Sequence, residues 1–155
     1  MNKEIERKFL VLNGDFKKDA VKSSKIIQGY LSKDPERTVR IRIQDDKGFI
    51  TVKGISNKSG ASRFEFETEI NIHDAEQLSE LCLPELIIKT RFYIPSNKHT
   101  FEVDVFEGKN KGLILAEIEL NEENETFKKP LWLGKEVTGD KHYYNSYLSE
   151  NPFSN

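Results

Sequence analysis

The chain has 155 residues, enough for one domain with a single core and too few for two comfortable ones, so residues 1–155 are read as one domain. Charged residues make up 32% of it, yet 24 Lys plus Arg against 26 Asp plus Glu leave a net charge of −2, without the basic excess that nonspecific nucleic-acid binding draws on. Met1 to Lys8 has no apolar signal region, and no uncharged apolar run approaches the roughly 18 residues of a membrane span, which points to a soluble, cytoplasmic protein without nucleic-acid or membrane partners.

In chain order, alternating strand-like patterns run over Glu4–Leu12, Ile26–Ser32, Thr38–Gln44, Phe49–Lys53, Arg63–Asn71, Ile87–Ile94, Thr100–Phe106 and Ile114–Leu120. Helix-like stretches lie at Asp15–Ser23, His73–Leu83 and Lys141–Ser149, with Asp74 and Asp140 as candidate N-caps. The single cysteine, Cys82, falls in the second of these and reads as a small buried hydrophobe. Connections such as Asp45–Gly48 and Pro95–His99 are too short for parallel crossovers. The expected fold is therefore mainly antiparallel β with some α: an eight-stranded barrel, closed because closure removes exposed strand edges, with a few helices packed outside.

Side chains at i and i+2 share a strand face. Glu4, Glu6 and Lys8 then stand together, as do Arg40 with Arg42, Thr51 with Lys53, Arg63 with Glu65, Glu67 and Glu69, Lys89 with Arg91, Glu102 with Asp104, and Glu117 with Glu119. The opposite faces are apolar, for example Val39, Ile41 and Ile43, or Phe64, Phe66 and Ile70. An amphipathic sheet in water explains any one strand. It does not explain like-charged i, i+2 pairs about 6.5–7 Å apart, which repel by roughly 2–3 kcal/mol at an effective dielectric of about 20.

Repeated repulsion of this kind suits a lumen built for ligands of opposite charge. The acids fit hard cations such as Mg²⁺ or Mn²⁺, and the bases fit a chain of phosphates. The three histidines, His73, His99 and His142, lack ligand spacing and read as surface residues. The reverse arrangement, an apolar lumen like that of a lipid carrier, would leave the amphipathic helices without an apolar wall to pack on. No G-x-x-x-x-G-K-[ST] sequence is present, so side chains must bind the phosphates. Trp132 and the Tyr143-Tyr144 pair are expected to pack the carboxyl-terminal segment on the barrel.

The opening Glu4-Ile5-Glu6-Arg7-Lys8 resembles the ExExK signature of the CYTH family, the triphosphate tunnel metalloenzymes. The resemblance continues through Gln28-Gly29-Tyr30-Leu31, Val39-Arg40-Ile41-Arg42, Thr51-Val52-Lys53, Ser62-Arg63 with Glu65 and Glu67, Lys89-Thr90-Arg91, Glu102 to Phe106, Ala116-Glu117-Ile118-Glu119 and Gly134 to Thr138. It implies an eight-stranded antiparallel tunnel acting on triphosphates with Mg²⁺ or Mn²⁺, with Glu4, Glu6, Glu117 and Glu119 as metal carboxylates and Asp104 nearby. By the same resemblance Lys8, Arg40, Arg42, Lys53, Lys89 and Arg91 hold the phosphates, Arg63 joins them, and Lys8 and Tyr30 are the candidate catalytic groups. The expected reaction is hydrolysis of a triphosphate, foremost inorganic tripolyphosphate, by a monomer or homodimer. A cyclase releasing pyrophosphate from ATP and a nonenzymatic polyphosphate-binding module are the alternatives.

Overall fold

The computed structural model describes residues 2–154. Its strands are β1 (Lys3–Val11), β2 (Lys22–Ser32), β3 (Thr38–Gln44), β4 (Lys47–Lys53), β5 (Ser62–Ile70), β6 (Leu83–Ser96), β7 (His99–Phe106), β8 (Ile114–Glu119) and β9 (Leu133–Glu136). They form one sheet in the order β5-β4-β3-β2-β6-β7-β8-β1-β9, and β5 also pairs with β1. That last pairing closes the eight-stranded antiparallel barrel, through Lys3 opposite Phe64, Glu4 opposite Arg63 and Ile5 opposite Ser62. The expected barrel is thus present, with β9 as an extra strand on β1.

Two-residue turns set the hairpin registers. Asp45 and Asn97 take positive φ values of 54° and 56° between β3 and β4 and between β6 and β7, a region that Asp and Asn enter more readily than most residues. Apart from Glu69, which is exposed and off the cavity wall, the charged sets face the lumen, and the partners face across strands: Lys8 opposite Glu117, Glu6 opposite Glu119, Arg91 opposite Asp104.

The outward faces carry the larger apolar core. Phe9, Phe101, Val103, Ala116 and Ile118 pack with Phe16 and Trp132, so Trp132 packs its segment on the outer wall of the barrel. Helix α1 (Ile72–Glu80) lies on β3 and β4, where Ala75 is fully buried. Its approach depends on Gly48, because a Cβ there would stand 2.4 Å from the Cβ of Ala75. The amphipathic helix does rest on the apolar outer wall, as the lumen assignment requires.

At one end the inward-facing positions turn apolar. Leu10, Ile87, Phe106 and Leu115 cluster with Leu113, Val137 and Leu148, and the short helix α2 (Asn145–Leu148) stoppers the lumen there. The charged face is therefore confined to part of the tunnel, which the charge pattern did not reveal.

Helical expectations need correction. Only Asp15–Asp19 of the first stretch is helical, as a 3₁₀ turn, because Lys22 and Ser23 already pair with β6. The N-cap of α1 is Asn71, whose side chain accepts from the His73 backbone N–H, and not Asp74. The carboxyl-terminal stretch splits into a 3₁₀ turn, Lys141–Tyr143, capped by Asp140, and α2. Cys82 lies beyond α1, half-exposed over Gly29. Leu81, just before it, is 71% exposed, so the apolar pattern overran the helix.

Candidate active site

Within the barrel is a cavity of about 190 Å³. Its wall includes Glu4, Glu6, Lys8, Tyr30, Arg40, Arg42, Lys53, Arg63, Lys89, Arg91, Glu117 and Glu119, so twelve of the thirteen anticipated site residues share one space. Alternation explains the convergence, since each of these projects from the lumen face of its strand.

Six cations, Lys8, Arg40, Arg42, Lys53, Lys89 and Arg91, are buried in that wall. Their partners are carboxylates or neutral acceptors. Arg91 gives Nε to Asp104 Oδ1 at 2.8 Å and Nη2 to Asp104 Oδ2 at 3.0 Å, while Lys89 Nζ stands 2.7 Å from the same Oδ2. Lys53 lies 3.2 Å from Glu4 and 3.1 Å from Glu65. Arg40 Nη2 donates to Thr51 Oγ1 at 3.0 Å and to Glu67 Oε2 at 3.1 Å, but its buried Nε has no protein partner. A buried donor without an acceptor is costly, and one on a cavity wall is positioned for an anion.

Burial pushes the Lys89 ammonium down to about 7; Asp104 opposes this, and Arg91 and Arg42 add to it. Arg42 is lowered to about 9, by burial and then by Arg40 and Arg91. Both shifts are led by burial, and the neighbouring cations add to them.

The carboxylates show the converse strain. Burial, then Glu117 and Glu4, drive the Glu6 carboxyl well above its ordinary range. Burial also pushes Glu117 upward, but Lys8, a hydrogen bond from Glu6, Arg91 and Lys89 together hold it well below. Glu119 is raised by burial and by Glu4 and Glu102. A proton on Glu6 thus does part of what a cation would do among these acids. The set is all oxygen, as Mg²⁺ or Mn²⁺ requires, although among the described residues no three acids converge tightly enough to enclose an ion as they stand.

Asp104 differs from the other anticipated metal residues. It is 2% exposed, and both of its oxygens are taken by Arg91 and Lys89. Its carboxyl would rise on burial, but Arg91 and Lys89 lower it. The position of Asp104 suits fastening two cations to β7.

The resemblance reached Thr138, but the strand pattern did not foretell that the segment beyond it enters the lumen. Thr138 Oγ1 accepts from the Lys8 backbone N–H at 2.9 Å, and Lys8 Nζ donates to the Tyr143 carbonyl at 3.1 Å. The Tyr144 ring lies 5.5 Å from Lys8 Nζ and 5.9 Å from the Arg63 guanidinium carbon, so this tyrosine faces the lumen. Asn145 Oδ1 accepts from Lys89 at 3.0 Å and from Gln28 at 3.1 Å. The segment is brought close at Gly60, φ +80°, where a Cβ would sit 2.2 Å from Gly139 Cα. His99, expected at the surface, has a side chain only 8% exposed and lies 2.6 Å from Glu125, whereas the His73 and His142 side chains are exposed.

The CYTH domain model matches residues 2–146. The chain belongs to the CYTH family. Membership implies a divalent metal ion. Among curated CYTH relatives, the inorganic triphosphatase of Acetivibrio thermocellus is 48% identical, with 100% of this chain and 98% of that protein aligned. The inorganic triphosphatase of Nitrosomonas europaea is 36% identical over 94% of this chain and 96% of its own length. A crystal structure of an inorganic triphosphatase superposes with a TM-score of 0.66 at 33% identity, covering 94% of this chain and 93% of that one. A putative adenylyl cyclase from Hippeastrum, described as having dominant triphosphatase activity, shares the CYTH fold at a TM-score of 0.64 and 15% identity, with 77% of this chain and 80% of that one covered.

Among the described residues, no helix is long and apolar enough to cross a membrane.

Proposed function

We propose that this chain hydrolyses triphosphates with a divalent metal, Mg²⁺ or Mn²⁺, and that inorganic tripolyphosphate is its preferred substrate. The observation that carries this reading is one lumen lined by six buried cations together with carboxylates that pair with them, Glu4 with Lys53 and Glu117 with Lys8 and Arg91. Six cations exceed what a single phosphate needs, and Arg40 Nε is a buried donor still open to a phosphate oxygen.

Glu4, Glu6, Glu117 and Glu119 are assigned to hold the metal, and Asp104 to hold Arg91 and Lys89 in place. A divalent ion bound there would neutralise negative charge on phosphate oxygens. The cationic residues orient the phosphate chain along the lumen and offset charge on the transferring group. The Glu6 carboxyl, raised by burial, Glu117 and Glu4, would be drawn to its ionised form by a cation held there. Tyr30, buried on the wall beside Arg40 in the β2–β3 register, is assigned with Lys8 to orient substrate oxygens.

The preference for an inorganic substrate rests on the lining. Among the described residues, Tyr30 and Tyr144 are the aromatic rings of the cavity wall, and the Tyr144 ring is already occupied by Lys8 and Arg63. That leaves little surface for a base to stack on. We further read the chain as a cytoplasmic single domain acting on a small molecule, as a monomer or homodimer.

The test is release of phosphate and pyrophosphate from tripolyphosphate, ATP and thiamine triphosphate, each with Mg²⁺, Mn²⁺ or EDTA. Metal-dependent phosphate release, fastest from tripolyphosphate, is expected. Pyrophosphate release from ATP alone would replace hydrolysis with cyclisation, and tight binding without turnover would replace the enzyme with a binding module.

A further inference from the structure

Two side chains with no assigned role bind the cationic wall to the carboxyl-terminal segment. The Gln28 amide is oriented by Arg42, because Nε can only donate and reaches Gln28 Oε1 at 2.9 Å. Gln28 Nε2 therefore points the other way and donates to Asn145 at 3.1 Å. Lys89 Nζ, also a donor only, reaches the same Asn145 atom at 3.0 Å. Both neighbours of Asn145 are donors, which fixes that atom as the carbonyl Oδ1.

One neutral oxygen thus accepts from Lys89 directly and fixes Arg42 through Gln28. Lys89 and Gln28 are each 1% exposed, so the network is shielded from water. Asn145 itself is anchored from behind, where Leu148 and Ser149 at the end of α2 are 2% exposed. The chemical type matters. A carboxylate at this point would also accept both hydrogen bonds, but it would neutralise a cation that the phosphates need and would repel the substrate. An amide carbonyl orients the ammonium and leaves its charge available.

We infer that Asn145 is a positioning residue for triphosphate binding: its uncharged carbonyl holds Lys89, and through Gln28 also Arg42, in the orientation that receives the phosphate chain. This rests on the triphosphate reading above and adds to it a residue outside the charged strands.

The experiment is calorimetric binding of tripolyphosphate in EDTA, paired with steady-state kinetics in Mg²⁺, for wild type, Asn145→Ala, Asn145→Asp, Gln28→Met and the double variant Asn145→Ala/Gln28→Met. Loss of one acceptor to a charged donor should weaken binding about tenfold in the alanine variant, with kcat falling by less than about threefold. Asn145→Asp should bind more weakly still, although aspartate suits the first turn of a helix and keeps the hydrogen bonds. The double variant should bind no worse than about twofold below the weaker single variant, because both substitutions cut the same network.

Wild-type affinity in Asn145→Ala, or wild-type affinity restored in Asn145→Asp, would overturn the inference and leave Asn145 as a fastening for α2. Should the alanine variant not fold, the aspartate variant decides alone. A wild-type protein that binds tripolyphosphate without turning it over would sink the triphosphatase reading, while the ratio of affinities would still judge Asn145. A wild-type protein that does not bind it would overturn both.

Discussion

Arg91 and Asp104 face each other directly across β6 and β7, joined by two hydrogen bonds of 2.8 and 3.0 Å in a site where neither is more than 6% exposed. Lys89 shares the same carboxylate. Removing Asp104 leaves two buried cations short of a counter-charge, and breaking a buried pair in this way costs about 3 kcal/mol or more. Asp104→Ala should therefore lower the urea unfolding free energy by that order. It also removes the group that holds the Lys89 ammonium up, so that Lys89 falls below about 7. Tripolyphosphate affinity should then fall more at pH 8 than at pH 6, and equal losses at both would count against the fastening role.

Glu6 and Glu4 offer a test that does not depend on turnover. A ligand that binds only the folded state raises the unfolding temperature with its concentration. Millimolar Mg²⁺ should raise the midpoint of the wild type, and EDTA should reverse the shift. In Glu4→Gln and Glu6→Gln the shift should vanish together with metal-dependent hydrolysis, while the midpoint without metal should not fall in Glu6→Gln, which relieves repulsion from Glu117 and Glu4, and should fall in Glu4→Gln, which loses the charge facing Lys53. A retained Mg²⁺ shift in both variants would remove these residues from the metal site.

Arg40 separates charge from geometry. Its Nη2 is held by Thr51 and Glu67, and its Nε is free. Lysine keeps the charge but cannot hold Glu67 with one nitrogen and offer another to phosphate. Arg40→Lys should raise KM for tripolyphosphate about tenfold without unfolding the protein. An unchanged KM would make Arg40 a structural cation.

Outside the tunnel, acid stability should depend on Glu125. The backbone N–H of Asn121, followed by His99, holds its carboxyl at about 2. Because this lies below the unfolded value of 4.5, the contribution to stability is complete above pH 4.5 and disappears as pH falls toward about 2. Glu125→Gln should show a shallower loss of stability across that interval than the wild type, read from unfolding free energy against pH.

The barrel was legible because alternation is strict where a strand has one wet and one dry face. Val39 to Ile43 and Phe101 to Phe106 each announce their faces within a few residues, and the like-charged pairs identify the wet face as a lumen. The strand β9, Leu133–Glu136, has four residues and no alternation, and its pairing with β1 comes only from the return of the chain. Helix α2 has one buried residue, Leu148, too little for a periodic signal. Asn145 and Tyr144 reach the lumen from this segment, so nothing in their spacing relates them to Lys89 or Arg63. His99 looked free because its partner, Glu125, is 26 residues away in an irregular stretch.

Strand β1 pairs with β5, β8 and β9, so residues near the start of the chain hold elements that are made much later. During synthesis β1 precedes its partners: β5 follows only after three further strands, and β8 after six. Hairpins from β2 to β7 can assemble as they appear, but the cylinder cannot shut until synthesis has passed Glu119, the end of β8. Non-local pairing of this kind slows folding and leaves strand edges open in the interim. A nascent chain stalled before β8 should thus be a sticky, curled sheet, and the enzyme acquires both its closed tunnel and its resistance to aggregation in the same final step.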